Sequence, residues 1–321
     1  MSISPVTIII PIYNGKELIK DHFPSVFKAA DRAGVQIVVA DDASTDDSVD
    51  FLRNNYPSVK VLTSETNMGF GMNCNRAIEA VYTEFIVLLN SDVEVEHDFL
   101  PPLLNLFRES PDLFAVSPRI LNAARDGKDE AVNYFEFKHG LIRPRFPCLE
   151  GGPTPSSATP VGYACGACAM IDRAKFMELG GFSSFLAPNY WEDTDLGYRA
   201  WKRGWRILYE PKSTVRHQHQ QTISKIFTRD AIHIMYTERH FLFTWHNLTD
   251  TRPLLNHMLW LFRFPLSYAL HWDLPGLIGF FRAFGSIKGV FSSRKRNLSL
   301  RSDKETLQVS KPDIYRSKLA D

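Results

Sequence analysis

Residues 6–14, VTIIIPIYN, decide the fold, because they combine a β-branched apolar run with a polar turn at Tyr13 and Asn14. A short apolar run bounded by turn residues is typical of a strand buried on both faces. Similar runs alternate with longer amphipathic stretches, which predicts a mostly parallel sheet covered by helices. The predicted strands span 6–12, 36–40, 59–62, 85–89 and 113–117.

The amphipathic stretches between these strands predict helices over 16–33, 46–55, 69–81 and 99–108. Gly34 and Pro57 are stop signals, and Asp46 and Asp47 would stabilise a helix N-terminus. We therefore expect residues 1–118 to form a nucleotide-binding α/β half.

Residues 119–225 are expected to form the acceptor-binding and catalytic half, which completes a catalytic domain over 1–225. The stretch 121–160 mixes Gly, Pro, Ser and charges without periodicity, which predicts an irregular excursion with a short strand or two. The later elements are predicted as a strand over 161–171, a helix over 173–179, a helix over 192–203 and a strand over 205–209.

Residues 226–321 are helical, aromatic and basic in pattern. A spanning helix needs about 20 predominantly apolar residues, and charges and prolines interrupt the apolar stretch 254–291. Two alternatives stay open: helices lying in a membrane interface, or helices that cap the core or contact a second subunit. The basic residues expected to meet anionic head groups are Arg294, Lys295 and Arg296.

The length, charge and cysteine content of the chain exclude some classes of function. With 321 residues and 44% hydrophobic content, the chain can bury a sizeable core. Its 37 basic and 36 acidic residues nearly cancel, so we expect no nucleic-acid partner. We see no signal peptide, which predicts a cytoplasmic protein, either free or peripheral on the inner face of the plasma membrane. Cys165 and Cys168 form a CxxC inside an apolar run, which favours packed thiols over a zinc or redox site.

Polar residues follow two of the predicted strands. Asp41 and Asp42 follow the second strand, where a carboxylate could accept hydrogen bonds from a base or ribose. A helix N-cap explains the same turn, and that alternative stays open. Asn90-Ser91-Asp92 follows the fourth strand and supplies hard oxygen ligands of the kind that magnesium or manganese prefers.

Three carboxylates open the helix at Trp191-Glu192-Asp193-Thr194-Asp195. Compensating the helix dipole needs one acid, so a further role is expected for the others. A carboxylate here is suited to remove a proton from an acceptor hydroxyl. His217 follows the last predicted strand, where a neutral imidazole could complete a metal shell.

Taken in order, these motifs resemble the inverting family 2 glycosyltransferases of the GT-A fold, most closely their bacterial rhamnosyltransferase-like branch. The similarity covers about 6–219. It implies an α/β fold with a Rossmann-like nucleotide-binding half, a mostly parallel sheet and flanking helices, to which this chain adds a C-terminal helical extension.

The resemblance also implies roles for individual residues. Asp193 matches the family's catalytic base, with Glu192 beside it, and Asp92 and His217 match ligands of Mg²⁺ or Mn²⁺. Asn90 stands where the family usually has a first aspartate. The residues implied in substrate binding are Pro11, Tyr13, Asn14, Asp41, Asp42, Asn67, Gly69, Gly71, Asn75, Asn90, Gly166, Ala167 and Trp191.

We therefore expect a metal-dependent, inverting hexosyltransferase of cell-surface polysaccharide synthesis. It would move a sugar, with rhamnose suggested by the branch, from a nucleotide diphosphate donor to a hydroxyl of a glycan or lipid-linked saccharide. Two alternatives are a nucleotide-sugar-binding protein without transfer activity and a nucleotidyltransferase, and the pair Glu192 and Asp193 argues against both. An anionic membrane surface and a second copy in a homodimer are the further expected partners.

Overall fold

The computed structural model describes residues 5–218, 227–294 and 299–316. Its strands are β1 (Val6–Ile12), β2 (Gln36–Asp41), β3 (Lys60–Leu62), β4 (Phe85–Leu89), β5 (Val93–Val95), β6 (Leu113–Asn122), β7 (Lys128–Asp129), β8 (Tyr134–Lys138), β9 (Leu141–Arg145), β10 (Thr159–Pro160), β11 (Cys168–Asp172) and β12 (Arg206–His217). Its α-helices are α1 (Lys16–Ala33), α2 (Ser48–Asn55), α3 (Phe70–Glu79), α4 (Leu100–Glu109), α5 (Arg173–Glu178), α6 (Glu192–Lys202), α7 (Arg229–Asn247), α8 (Thr251–Leu261), α9 (Arg263–Leu270), α10 (Leu274–Arg294), α11 (Asp303–Val309) and α12 (Asp313–Arg316).

One ten-stranded sheet organises the described residues, with the spatial order β10-β12-β6-β11-β4-β1-β2-β3. The short strands β5 and β7 pair with β12 and β6, and β8 and β9 form a separate hairpin. The pairs β1–β2, β1–β4, β2–β3 and β6–β12 are parallel. The predicted α/β class with a mostly parallel sheet is confirmed.

The central strand β1 has the predicted bounds. Its neighbouring residues Ile8 and Ile9 point to opposite faces of the sheet, and both are fully buried. Both faces are therefore covered, which is the environment that a continuous apolar run predicts. Along the chain, α1, α2 and α3 connect the successive parallel strands from β1 to β4.

Helix α1 also has the predicted bounds, and it ends where Gly34 adopts a left-handed φ of 62°. Helix α2 begins two residues later than predicted. The reason is that a side-chain oxygen of Asp46 accepts hydrogen bonds from the backbone and hydroxyl of Ser48, so Asp46 precedes the helix.

The order of the sheet reverses at β1, which pairs with β2 on one side and with β4 on the other. In open α/β sheets, ligands bind beyond the carboxyl ends of the strands at such a reversal. The loops that follow β1, β2 and β4 share this edge.

Strand β11 lies antiparallel between β4 and β6. The predicted strand over 161–171 is wrong in its first half, because pairing begins only at Cys168. Residues 161–163 are instead buried beside Asn133, whose side-chain oxygen accepts from the backbone N–H of Tyr163 at 3.0 Å, and residues 164–166 are partly buried. The apolar pattern there reflects burial and not pairing.

Strand β12 is longer than predicted. It was expected to end at residue 209, but it passes through a register shift between Glu210 and Thr214 and reaches His217. Pro211 lies within the shift, where a missing N–H is tolerated. His217 is thus the last residue of a strand, paired with Val93 and Asn122, and does not lie in a loop.

The excursion at 121–160 holds four short strands, namely β7, the hairpin β8–β9 and β10, where one or two were predicted. The boundary drawn at residue 118 falls inside β6, and β6 lies between β11 and β12 in the common sheet. The division into a nucleotide half and a catalytic half stays a prediction.

Helices α7 to α12 form the C-terminal region, and α7 packs into the core through Phe241 and Phe243, which are fully buried. None of the helices in the described ranges combines the length and the apolar character needed to cross a membrane. Lys295 and Arg296 of the predicted basic cluster lie outside the described residues.

Helix α11 is fastened to helix α6 by a buried ion pair. Asp303 Oδ1 accepts from Lys202 Nζ at 2.8 Å and from the Tyr198 hydroxyl at 3.0 Å. Its other oxygen accepts from the backbone N–H of Thr249 and of Asp250. One carboxylate therefore joins α6, the α7–α8 connection and α11.

Candidate active site

The loops after β1 and β2 are tied together by Asn14. Its side-chain oxygen accepts from the backbone N–H of Thr45 at 2.7 Å, and its own N–H donates to Ser44 Oγ at 2.8 Å. Asn14 holds a left-handed φ of 49°, a conformation that asparagine tolerates. Pro11 and Tyr13 lie beside it on the same β1 end, both partly buried.

Asp42 is buried at the carboxyl end of β2. Its oxygens accept from the backbone N–H groups of Met68 at 2.8 Å and Gly69 at 2.9 Å. Burial raises the pKa of Asp42, and these two hydrogen bonds oppose that shift. Asp41 accepts weakly from the Ser44 N–H at 3.3 Å. Asp42 thus fixes the turn into α3 and keeps free lone pairs for a further donor.

The turn into α3 packs against the loop before α6. Gly69 has a φ of 82°, and a Cβ there would lie 2.5 Å from the Cα of Pro188. A Cβ on Gly71 would lie 3.1 Å from Phe182 Cβ. Asn75 exchanges two hydrogen bonds of 2.9 Å with the backbone of Phe182.

These contacts give a packing reason for three residues that the resemblance assigned to the substrate. Asn67 precedes them in an exposed position, and its side chain accepts from the Gly69 N–H at 3.1 Å. The role of these four residues in nucleotide binding stays a prediction.

Asp92 and His217 meet at the end of β4. Nε2 of His217 lies 3.3 Å from Oδ1 of Asp92, and the two side chains are only 11% and 14% exposed. Nδ1 of His217 lies 2.6 Å from Oε1 of Glu130. Burial lowers the pKa of His217, but Asp92 and Glu130 together outweigh it and raise the pKa to about 9.

This donor set fits a divalent cation. A metal-bound histidine commonly gives its other N–H to a carboxylate, which is the place of Glu130 here. Across residues 5–218, 227–294 and 299–316, no three His, Cys, Asp or Glu side chains form a metal site by themselves. Two protein ligands suit an ion that takes the rest of its shell from substrate phosphates and water.

Asp193 lies in the first turn of α6, partly buried. Its Oδ2 accepts from the Gly166 N–H at 3.0 Å, and its Oδ1 accepts from the backbone N–H of Thr194 at 2.6 Å. Burial raises the pKa of Asp193, and these hydrogen bonds to the ionised form oppose the rise.

Glu192 differs from its neighbour, because its Oε2 is buried without a hydrogen-bond partner. Burial first, and then the charge of Asp193, raise the pKa of Glu192. The pair therefore differs in its contacts: the Asp193 carboxylate accepts from two N–H donors, whereas Glu192 Oε2 has no hydrogen-bond partner and the pKa of Glu192 is raised to about 8.

The dipeptide Gly166–Ala167 connects the two ends of the site. The Ala167 carbonyl accepts from the Asn90 N–H at 2.9 Å, while Gly166 donates to Asp193. The turn Asn90-Ser91-Asp92 and Asp193 therefore contact the same short segment, which immediately precedes β11.

Asp195, the third carboxylate of the motif, has a structural role. It is fully buried and accepts from Arg199 Nε, Asn247 Nδ2 and the Ser183 hydroxyl, each at 2.8 Å. Nδ1 of His246 lies 2.7 Å from it. Burial raises the pKa of Asp195, but Arg199 and His246 overcome this and hold the pKa well below its usual range.

A family model described as Glycosyl transferase family 2 matches residues 7–180, which is more than half of the chain. The chain belongs to this family.

Relatives of this family 2 glycosyltransferase include two bacterial rhamnosyltransferases. One is the N-acetylglucosaminyl-diphospho-decaprenol L-rhamnosyltransferase of Mycobacterium tuberculosis, 27% identical over 61% of this chain and 71% of that protein. The other is the O-antigen chain rhamnosyltransferase WbaN of Salmonella anatum, 26% identical over 70% of this chain and 69% of that protein. The resemblance to the rhamnosyltransferase-like branch is confirmed.

Solved structures show the same fold. TarS 1-349 of S. aureus, in complex with UDP-GlcNAc, has a TM-score of 0.59 at 15% identity and covers 98% of this chain and 92% of its own. The mannosyltransferase PcManGT of Pyrobaculum calidifontis, in complex with GDP-Man and Mn²⁺, has a TM-score of 0.55 at 16% identity, with coverage of 91% and 86%. The predicted GT-A fold is confirmed.

An aromatic cluster lies beside Asp193 in this glycosyltransferase. The backbone of Trp191 adopts a left-handed conformation with a φ of 73°. Its ring stacks on that of His240, with 4.1 Å between the ring centroids and an angle of 12° between the ring planes. Tyr236 lies 5.2 Å from Trp191 and is 44% exposed. The indole N–H of Trp191 is buried without a hydrogen-bond partner. The rings of Tyr236 and His240 belong to α7, which the sequence places 40 residues or more beyond Asp193.

Sequence reasoning missed Glu130. It lies in the irregular stretch after β7, where the chain offers no local pattern for a histidine partner. Only the register that aligns His217 with Asn122 brings the two together, and Asn122 Nδ2 donates to Glu130 Oε2 at 2.5 Å. No signal in the sequence could have identified this contact.

Proposed function

We propose that this enzyme transfers rhamnose from a nucleotide diphosphate donor to a hydroxyl of a lipid-linked saccharide, with inversion at the anomeric carbon. The observation that carries the proposal is the position of the Asp193 carboxylate, which accepts from the Gly166 N–H in the Gly166–Ala167 segment that also contacts Asn90. Two rhamnosyltransferase relatives support the choice of sugar, and one of them acts, by its name, on a diphospho-decaprenol.

The donor nucleotide would lie over the carboxyl ends of β1, β2 and β4, with Asp42 and Asn14 on one side. Asp92 and His217 would hold a divalent ion, Mn²⁺ or Mg²⁺. When bound, such an ion neutralises the negative charge of the departing diphosphate. PcManGT, a structural neighbour, is described with Mn²⁺, which supports this assignment.

Asp193 accepts the proton of the acceptor hydroxyl. The hydroxyl oxygen forms a bond to the anomeric carbon as the bond from that carbon to the diphosphate oxygen breaks. The electron pair of the broken bond leaves with the nucleoside diphosphate. One base suffices for this single displacement, whereas glycoside hydrolysis normally needs a second carboxyl group as acid.

The N–H groups of Gly166 and Thr194 support this role, since they stabilise the carboxylate form that a base requires. They also fix the direction of both carboxylate oxygens. Positioning of this kind contributes to the rate because proton transfer depends on hydrogen-bond reach.

The decisive experiment measures nucleoside diphosphate release from a panel of dTDP-, UDP- and GDP-sugars with Mn²⁺, with and without a polyprenyl diphosphate saccharide. We expect dTDP-rhamnose to be turned over and Asp193→Asn to lose transfer by about 100-fold or more while keeping donor binding. Asp50→Asn, an exposed first-turn aspartate of α2, is the matched control and should retain full activity.

Each other outcome has a definite meaning. Binding of nucleotide sugars without turnover of any of them would favour the nucleotide-sugar-binding alternative. Release of pyrophosphate from a nucleoside triphosphate and a sugar phosphate would favour the nucleotidyltransferase. Turnover of a different sugar would overturn the choice of rhamnose and leave the role of Asp193 standing.

A further inference from the structure

The three consecutive helices α8, α9 and α10 hold most of the exposed apolar side chains. Of the eighteen large hydrophobic residues that are exposed in the described part of the chain, thirteen lie between residues 254 and 291. We call the most exposed of these the apolar face: Leu255, Leu259, Phe262, Leu266, Leu270, Trp272, Leu274, Phe281 and Phe291. A concentration of exposed apolar side chains on three consecutive helices is typical of an interaction surface.

The opposite sides of these helices are firmly packed. Phe264 and Phe280 both meet the ring of Phe241 edge-on, with centroids 5.0 and 5.1 Å apart. Nδ1 of His257 lies 2.6 Å from the Gly140 carbonyl in the β8–β9 hairpin. The helices are therefore fixed in an orientation that turns the apolar face outward.

A helix that only caps a core is polar on its outer side. Here the most exposed apolar residues lie at the two bends, with Phe262 between α8 and α9 and Trp272 between α9 and α10. Their exposures are 80% and 93%. Large aromatic side chains at exposed bends fit the boundary between head groups and acyl chains.

The charge of this region distinguishes between two partners for the apolar face, an anionic membrane and a second copy of the chain. Residues 251–294 contain five Arg and Lys residues but a single acid, Asp273, although the whole chain has a formal net charge of only +1. Arg252, Arg282 and Lys288 are exposed on the same helices. A second copy would bring like charges together, whereas anionic lipid head groups would pair with them.

We propose that the apolar face docks the enzyme on an anionic lipid bilayer, with α8, α9 and α10 lying in the interface. Phe262 and Trp272 enter the head-group boundary, while Arg252, Arg282 and Lys288 contact the anionic lipids. The described helices are not suited to span the bilayer. This surface is independent of the sugar that the active site uses.

The test is co-sedimentation of the full chain with vesicles of phosphatidylglycerol and phosphatidylcholine, compared with phosphatidylcholine alone, at low and high salt. The first variant is Phe262→Ser with Trp272→Ser, and the second is Arg252→Gln with Arg282→Gln and Lys288→Gln. Tyr82→Ser is the matched control, because Tyr82 is 91% exposed and lies outside the apolar face.

We expect the wild type and the control to bind anionic vesicles, and binding to fall at high salt. The charge variant should bind on the order of 100-fold more weakly, because each basic residue near an anionic surface contributes about fivefold. Both variants should release nucleoside diphosphate from the donor as the wild type does with a soluble acceptor. This readout separates failure of docking from failure of the proposed function.

Two results would overturn the proposal. The first is a wild-type protein that does not co-sediment with anionic vesicles at low salt, or variants that co-sediment with them as well as the wild type does. The second is a wild-type dimer, measured by sedimentation velocity, that the Phe262 and Trp272 variant dissociates in the absence of vesicle binding. The apolar face would then be an interface between copies.

Discussion

The backbone N–H of Gly166 donates a 3.0 Å hydrogen bond to Oδ2 of Asp193, and the Cα of Gly166 faces the same carboxylate. A Cβ added at Gly166 would lie 3.3 Å from Oδ2. The absence of a side chain at Gly166 therefore allows its N–H group to approach the Asp193 carboxylate closely.

Gly166→Ala should displace the Asp193 carboxylate by a few tenths of an ångström. We expect kcat to fall about tenfold, since a small misplacement of a base is costly, with little change in the donor KM. Steady-state kinetics with a fixed acceptor measure this. Gly285→Ala, whose Cβ would have no neighbour within 4 Å, should leave both constants unchanged. Equal loss in the two variants would contradict the positioning role.

Glu192→Gln should keep most of the activity near neutral pH. Burial and the charge of Asp193 raise the pKa of Glu192, so a larger fraction of Glu192 is protonated than of a free glutamate at the same pH. Glutamine resembles this protonated form. Asp193 has to be ionised to act, and its raised pKa means that transfer declines with falling pH earlier than for an ordinary aspartate. Profiles of kcat/KM against pH for the wild type and the variant check both statements. A variant as inactive as Asp193→Asn would assign Glu192 a direct chemical role.

Glu130→Gln should weaken metal binding by about 10 to 100-fold, because outer carboxylates orient a metal-bound histidine. Electron paramagnetic resonance of free Mn²⁺ during titration gives the affinity. The control is Asp273→Asn, which alters another carboxylate–histidine contact, 3.5 Å to His233, in the C-terminal helices. If both variants bind Mn²⁺ like the wild type, Glu130 does not support the metal site.

Asp195→Asn should lower the free energy of unfolding, whereas Asp193→Asn should leave it nearly unchanged. The change leaves the buried Arg199 without its charge partner, which costs about 3 to 5 kcal/mol in other buried pairs. The pKa of Asp195 is lower in the folded protein than in the unfolded chain, so its ionised form stabilises the fold at any pH above the unfolded-state pKa. This stabilisation is lost as the pH falls through the folded-state pKa. Urea titration of both variants tests the contrast, and equal stability would refute it.

The sequence predicted the sheet well where burial alone decides the structure. Strands β1 and β4 have the predicted bounds because both are continuous apolar runs closed by polar turns. The same signal failed at 161–167, since a buried turn around Asn133 is as apolar as a strand.

The site was predictable only where its residues follow strands or begin helices. Asp92 and Asp193 occupy such places. The contacts of Glu130 with His217 and of Gly69 with Pro188 join residues 87 and 119 positions apart. They depend on strand order and loop packing, for which a single sequence has no local signal.

The ion pair between Lys202 and Asp303 has a consequence for synthesis of the chain. A ribosome that stops before residue 303 releases a protein in which the buried Lys202 ammonium group of α6 lacks its carboxylate partner. Such an unpaired charge destabilises the fold strongly, and proteases remove poorly folded chains in cells. Premature termination shortly before residue 303 would therefore reduce the amount of enzyme even though every residue of the candidate site had already been translated.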